Sequence, residues 1–141
     1  ALAAQSELKP VAEETGVAIG IENVWNKFLL SPLEMRDFVD EIGSSQVGVY
    51  FDAGNVILTG YPEQWITILG ERIKRVHFKD FKRDVGNLDG FCDLLEGDVD
   101  YAAVMKALRA IGYDRSVVAE FFAAEDDLGK ISRAMDKILE M

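Results

Sequence analysis

The sequence holds one cysteine, one histidine and three prolines, and its 15 lysines and arginines are outnumbered by 25 aspartates and glutamates. Each shortage excludes something. Cys92 has no internal disulfide partner, and no CxxC or paired Cys/His spacing suggests structural zinc, so a reducing compartment, the cytoplasm, is the expectation. A formal net charge of −10 argues against nucleic acid as a partner, since a surface that tracks phosphates needs a basic patch to displace their counterions. No apolar run approaches the roughly 20 residues that span a bilayer, and no signal peptide is visible, so no membrane partner is expected. No GxGxxG follows the first apolar strand and no GxxxxGK followed by Ser or Thr occurs, which removes the usual phosphate-cradling signatures.

What is present suits a folded domain: 141 residues, 49% apolar and 28% charged. Two kinds of segment alternate along it. Residues Ala1–Thr15 read as a helix with Leu8, Val11 and Ala12 inward, kinked or restarted at Pro10 and stopped by Gly16. Val17–Glu22 reads as a short apolar strand. Ser31 then caps a helix with Pro32 at its first position, Glu34 completing a capping box, Met35, Phe38, Val39 and Ile42 inward, and Gly43 as its stop. Val47–Asp52 is a second strand, followed by a short helix from Pro62 that turns Trp65, Ile66 and Leu69 inward. Ile73–Lys79 is a third. A long loop, Asp80 to Asp98, precedes a helix with Tyr101, Val104, Met105, Leu108 and Ile111 on one face and Gly112 as its stop; Ser116–Phe121 is a fourth strand, and a helix with Leu128, Ile131, Met135 and Ile138 inward follows.

Four alternations of apolar strand and helix predict an α/β fold with a parallel sheet and the helices outside it. Without nucleotide-binding signatures, a βα barrel is the better reading. A full barrel of eight units takes about 250 residues, so the chain amounts to half of one, a single half-barrel domain over residues 1–141. Its exposed edges and inner face imply a missing partner: the remainder of a longer barrel, or a second copy that closes an eight-stranded one.

In a parallel βα sheet the functional face lies at the C-terminal ends of the strands. There the four strands deliver Glu22, Asp52, His77 and Glu120, each after an apolar run. Three carboxylates converging on a partly buried rim repel one another and lose hydration unless a cation sits between them. A thiolate-free set of oxygens with one imidazole points to Mn²⁺, with Mg²⁺, Co²⁺ or Fe²⁺ as alternatives. Any one of these residues alone would be better read as a cap, a solvated acid or a satisfied core histidine; the argument rests on all four.

The stretches Ile21–Asn26 (IENVWN), Phe51–Asn55 (FDAGN), Val76–Asp80 (VHFKD), Glu96–Tyr101 (EGDVDY) and Val117–Phe121 (VVAEF) resemble the C-terminal half of the xylose-isomerase-like TIM-barrel proteins, the sugar isomerase and epimerase superfamily. The resemblance covers essentially the whole chain. It implies one divalent metal held by Glu22, Asp52, His77 and Glu120, with Glu22 and Glu120 also the acid/base pair, and Arg83, six positions after His77, as a contact to substrate oxygens. The activity it implies is isomerisation or epimerisation of a sugar or sugar phosphate by proton transfer through a metal-stabilised enediolate. Two departures set the chain apart from the ketose 3-epimerases. Asn55 stands where they place a substrate-binding histidine, and Trp25, Asn26 and Lys27 follow Glu22 without a second glutamate. These leave the substrate open, with Asn55 and Trp25 as candidate contacts.

Several residues carry two readings. Trp25 and Phe28 form a lid over a sugar ring or merely cap the barrel mouth; Lys79 and Asp80 are catalytic neighbours or an ion pair closing a strand; Arg83 is a substrate contact or a surface charge beside Lys79 and Lys82. The competing functions are dehydration of an inosose-type polyol on the same metal site and a non-catalytic barrel fragment. The superfamily's DNA-repair branch ranks last, because its multi-metal cluster needs more histidines than His77.

Overall fold

The chain, described by a computed structural model over residues 2–121 and 128–141, begins with helix α1 (Leu2–Thr15), strand β1 (Ile19–Glu22), helix α2 (Pro32–Ile42) and strand β2 (Val47–Asp52). Helix α3 (Pro62–Leu69) and strand β3 (Ile73–Phe78) follow, then a small ribbon of β4 (Asp80–Phe81) and β5 (Phe91–Cys92), helix α4 (Tyr101–Ala110), strand β6 (Val117–Ala119) and helix α5 (Leu128–Leu139). The main sheet has the order β1-β2-β3-β6 and every pairing in it is parallel. This is the α/β arrangement expected.

Side-chain alternation divides the sheet into two faces. Val49 and Phe51 of β2 and Val76 and Phe78 of β3 are fully buried in one apolar core with Met35, Val39, Trp65, Ile66, Leu69, Tyr101, Val104 and Leu108 of the helices. Phe51 meets the Trp65 ring at 6.4 Å, and Phe78 meets Tyr101 edge-on at 5.3 Å. Residues of the opposite parity, Glu22, Tyr50, Asp52, His77 and Glu120, therefore lie on the other face. The register, with Glu22 beside Tyr50 and Asp52 beside His77, brings them to one end of it.

Helix α2 forms as its punctuation predicts. Ser31 Oγ accepts from Glu34 N–H at 3.2 Å, Ser31 N–H donates to Glu34 Oε2 at 3.0 Å, and Gly43 closes the helix with φ 64°, a left-handed conformation that costs a β-carbon-bearing residue more.

Several details differ from expectation. Helix α1 runs through Pro10 without restarting, and of its three expected inward residues only Ala12 is buried; Leu8 and Val11 are 49% and 56% exposed. The helix precedes an edge strand, and its less exposed side follows Leu2, Gln5, Lys9 and Ala12 instead. The start of that helix at Ala1 lies outside the described residues. Strand β1 begins at Ile19 rather than Val17, since its first ladder bond is Ile19 N–H to Gln46 O. Strand β3 ends at Phe78 rather than Lys79, and β6 spans Val117–Ala119 rather than Ser116–Phe121. Leu128 at the start of α5 is exposed, while Ile138 near its end is fully buried. The expected loop from Asp80 to Asp98 contains the β4–β5 ribbon, and no helix among the described residues is long and apolar enough to cross a membrane.

Candidate metal centre

Glu22, Asp52, His77 and Glu120 come together as a cluster in which one potential ligand atom from each lies within 4.8 Å of the others. Parallel pairing of β1, β2, β3 and β6 brings these positions side by side, and Glu120, just beyond β6, stays in line because its N–H donates to Phe78 O at 2.9 Å. His77 Nδ1 is the hub. It lies 3.0 Å from Glu22 Oε1, 3.2 Å from Glu120 Oε2 and 3.9 Å from Asp52 Oδ2. The Tyr50 ring packs against the imidazole at 4.0 Å.

One ring nitrogen can serve one acceptor well, and here that acceptor is Glu22. Among the described residues, Asp52 Oδ2 and Glu120 Oε2 are buried with no donor hydrogen-bonded to them, and the two carboxyls act on each other instead. Such atoms are costly in a folded protein unless a partner serves them. Asp52 feels this most: its side chain is fully buried, and burial, reinforced by the neighbouring Glu120, pushes its carboxyl well above the usual range against the Asn55 amide and Lys79. Burial also works against the charge of Glu120, but Asp52 and Lys79 together hold its carboxyl below the usual range. A divalent cation between them would satisfy both bare oxygens, and the donor set, three carboxylates and an imidazole, fits such an ion.

The wall beside Asp52 is a network that sequence reasoning did not find. Asn23 donates from Nδ2 to Asp52 O at 2.9 Å and accepts Asp52 N–H at 2.8 Å. Asn55 N–H donates to Asp52 Oδ1 at 2.8 Å, and its Nδ2 to Asn23 O at 3.0 Å. Trp25 Nε1 then donates to Asn55 O at 2.8 Å, while its ring packs on Phe81 and Phe91 at 5.3 and 5.1 Å. Trp25 and Asn55, both singled out from sequence, thus adjoin the cluster and line a cavity of about 480 Å³ with Asn23, Leu29, Leu58 and Trp65. Asn23 follows Glu22 directly, and only the pairing of β1 with β2 gives it a partner 29 positions away.

The structure leaves Arg83 outside the cluster. Its Nε donates to Ile57 O at 3.2 Å and its backbone N–H to Asp98 at 2.6 Å, and it lines a separate cavity of about 240 Å³ with Ile57–Tyr61. Phe28 packs edge-on against Phe38 of α2 at 5.5 Å. Lys79 and Asp80 point to different tasks. Lys79 reaches Glu120 Oε1 at 3.1 Å, whereas Asp80 accepts the backbone N–H groups of Phe81, Leu95, Gly97 and Val99 at 2.9, 2.9, 3.1 and 3.1 Å.

With this geometry in place, comparison with known proteins is informative. The family model described as xylose isomerase-like TIM barrel matches residues 1–140. The chain belongs to that family. A D-psicose 3-epimerase of Enterocloster bolteae is 32% identical over 124 residues, 84% of this chain and 38% of the epimerase. Among solved structures, a D-tagatose 3-epimerase-like protein superposes with a TM-score of 0.83 at 28% identity, covering 99% of this chain and 53% of its own. The IolI protein, solved with a binding zinc atom, gives 0.82 at 21% identity, covering 99% and 55%; at that identity the likeness speaks for the fold alone. The chain therefore spans about two-fifths of that curated relative and about half of those TIM barrels.

Proposed function

We propose that the protein is a divalent-metal-dependent isomerase or epimerase of a ketose or ketose phosphate, with Glu22, Asp52, His77 and Glu120 as the metal ligands. The observation that carries this reading is the pair of buried carboxylate oxygens, Asp52 Oδ2 and Glu120 Oε2, left bare beside a shared imidazole. Kinship with a D-psicose 3-epimerase supports the reaction class. The hard, thiolate-free donor set supports Mn²⁺ in preference to the zinc found in the IolI structure.

The ion, when bound, supplies positive charge to substrate oxygens beside the carbon that exchanges its proton. The side chains do the rest. One of Glu22 and Glu120 removes the proton next to the carbonyl, and the other returns a proton to the same carbon from the opposite face, which inverts it. Asn23 and Asn55 hold Asp52 through its backbone and Oδ1, so that only Oδ2 faces the cluster. Trp25 and Asn55, lining the adjoining cavity, are the proposed sugar contacts, together with Arg83 from beyond the Ile57–Tyr61 loop. Burial pushes the Cys92 thiol up to about 11, which leaves it a poor nucleophile near neutral pH.

The test is solvent exchange. Incubated with Mn²⁺ and a panel of ketohexoses and their phosphates in D₂O, the protein is expected to wash deuterium into the carbon beside the carbonyl of at least one of them. That exchange should be lost with a chelator and in Glu120→Gln. Exchange retained by Glu120→Gln, or no exchange with any ketose, contradicts the assignment. Among the described residues β1 and β6 are the outer strands of the sheet, which further supports closure of the barrel against another four strands, from a longer chain or a second copy. Light scattering of the 141-residue chain at micromolar concentration is expected to report self-association, and a strictly monomeric mass would contradict it.

A further inference from the structure

Lys79 is a charged side chain in this site that neither the ligand set nor the proton transfer employs. Its residue is 5% exposed. The ammonium lies 3.1 Å from Glu120 Oε1, 3.9 Å from Asp52 Oδ2 and 4.3 Å above the Phe91 ring. Its surroundings hold it there. The Tyr101 hydroxyl donates to Lys79 O at 3.2 Å, and on the other side Gly54 approaches so closely that an added β-carbon would stand 2.5 Å from that same oxygen. Phe91, which supplies the cation–π face, is itself wedged between Trp25 and Phe81, each at 5.1 Å.

Glu120 needs such a neighbour. It follows a strand of three residues at the sheet edge, and although its backbone is tied to Phe78, a glutamate side chain keeps its rotamer freedom unless something grips the carboxylate. Lys79 grips one oxygen, Oε1, and the other, Oε2, is the buried atom without a hydrogen bond. The charges also balance: three carboxylates carry three negative charges, Lys79 returns one, and a divalent ion answers the remaining two.

We propose that Lys79 is a positioning residue, which holds Glu120 by Oε1 so that Oε2 stays directed at the focus of the ligand atoms. The inference rests on the metal-site reading above. A bystander ammonium and a positioning one predict opposite signs. A cation 3.1 Å from a ligand carboxylate repels the incoming metal, so a Lys79 that acted by charge alone would, once removed, leave metal binding tighter. A Lys79 that positions Glu120 would, once removed, leave it weaker.

The experiment is a double-mutant cycle on Mn²⁺ affinity, read by electron paramagnetic resonance titration of the full protein. Lys79→Met is expected to weaken Mn²⁺ binding about tenfold in the unsubstituted background, yet to leave it unchanged or tighter in Glu120→Gln, where there is no carboxylate left to place. Lys79→Arg should return affinity to within about threefold of the original, since a guanidinium keeps the charge-assisted bond. Lys79→Gln serves as the second variant should Lys79→Met not fold. Equal tightening in both backgrounds, or unchanged affinity in the first, overturns the positioning role alone. Failure of the unsubstituted protein to take up Mn²⁺ overturns the metal site and this role with it.

Discussion

Two aspartates in this chain, Asp52 and Asp80, are both fully buried, and they are buried in opposite ways. Asp80 accepts four backbone N–H groups, two on each oxygen, and so ties β4 to the 95–99 segment. Asp52 accepts one amide on Oδ1 and leaves Oδ2 bare, facing an imidazole, an ammonium and a second carboxylate. Burial raises the carboxyl of each above its ordinary range; at Asp80 the four amides counter that effect, at Asp52 only one does, with Lys79. A buried acid ringed by amides holds a fold together, whereas a buried acid with an unserved oxygen weakens the fold and keeps a place for a cation.

Substitution should separate the two. Asp52→Asn is expected to reduce Mn²⁺ affinity on the order of a hundredfold while leaving the metal-free thermal midpoint unchanged or higher, because it replaces a carboxyl whose ionisation burial disfavours with a neutral amide. Asp80→Asn should do the reverse: an NH₂ group turned toward amide donors costs roughly 2–4 kcal/mol, seen as a lower midpoint by calorimetry. Metal affinity intact in the first, or stability intact in the second, breaks the comparison.

Gly97→Ala sharpens it from the side of the cage. A β-carbon there would collide with Asp80 Oδ1 and stand 2.6 Å from Phe81 N, so a loss of roughly 1–3 kcal/mol is expected in denaturant unfolding. The smallest effect is on pH dependence. The raised carboxyl of Asp52 keeps its proton in the folded metal-free protein after the unfolded chain has released its own near pH 4. Its contribution to stability is therefore complete below that pH and is lost as pH rises toward the folded-state value, with a slope of at most about 1.4 kcal/mol per pH unit. Asp52→Asn should flatten that part of the midpoint-versus-pH curve, and an unchanged slope would contradict the assignment.

Much of this was legible in the order of residues. Strand β2 has the predicted bounds Val47–Asp52, and α2 has its predicted cap, capping box and stop, since apolar runs and capping chemistry are local signals. The four clustered residues were legible for a different reason: each ends an apolar run, and a parallel sheet carries such ends to one side. The Asp80 cage was not legible. Three of its four partners are backbone amides 15 to 19 positions away, a pairing that leaves no mark on side-chain type. The β4–β5 ribbon has strands of two residues, too short for any period. Asn23 was missed because its partner lies on another strand, and Lys79 was named with two readings because a charge beside a strand end does not reveal that its partner is Glu120 of another strand end.

The central claim is that Asp52 and its three neighbours hold one divalent ion, and metal stoichiometry tests it most directly. After incubation with Mn²⁺ and exhaustive dialysis, elemental analysis should find about one ion per chain in the unsubstituted protein and none in Asp52→Asn. No ion in the unsubstituted protein, or undiminished uptake by Asp52→Asn, would contradict the account.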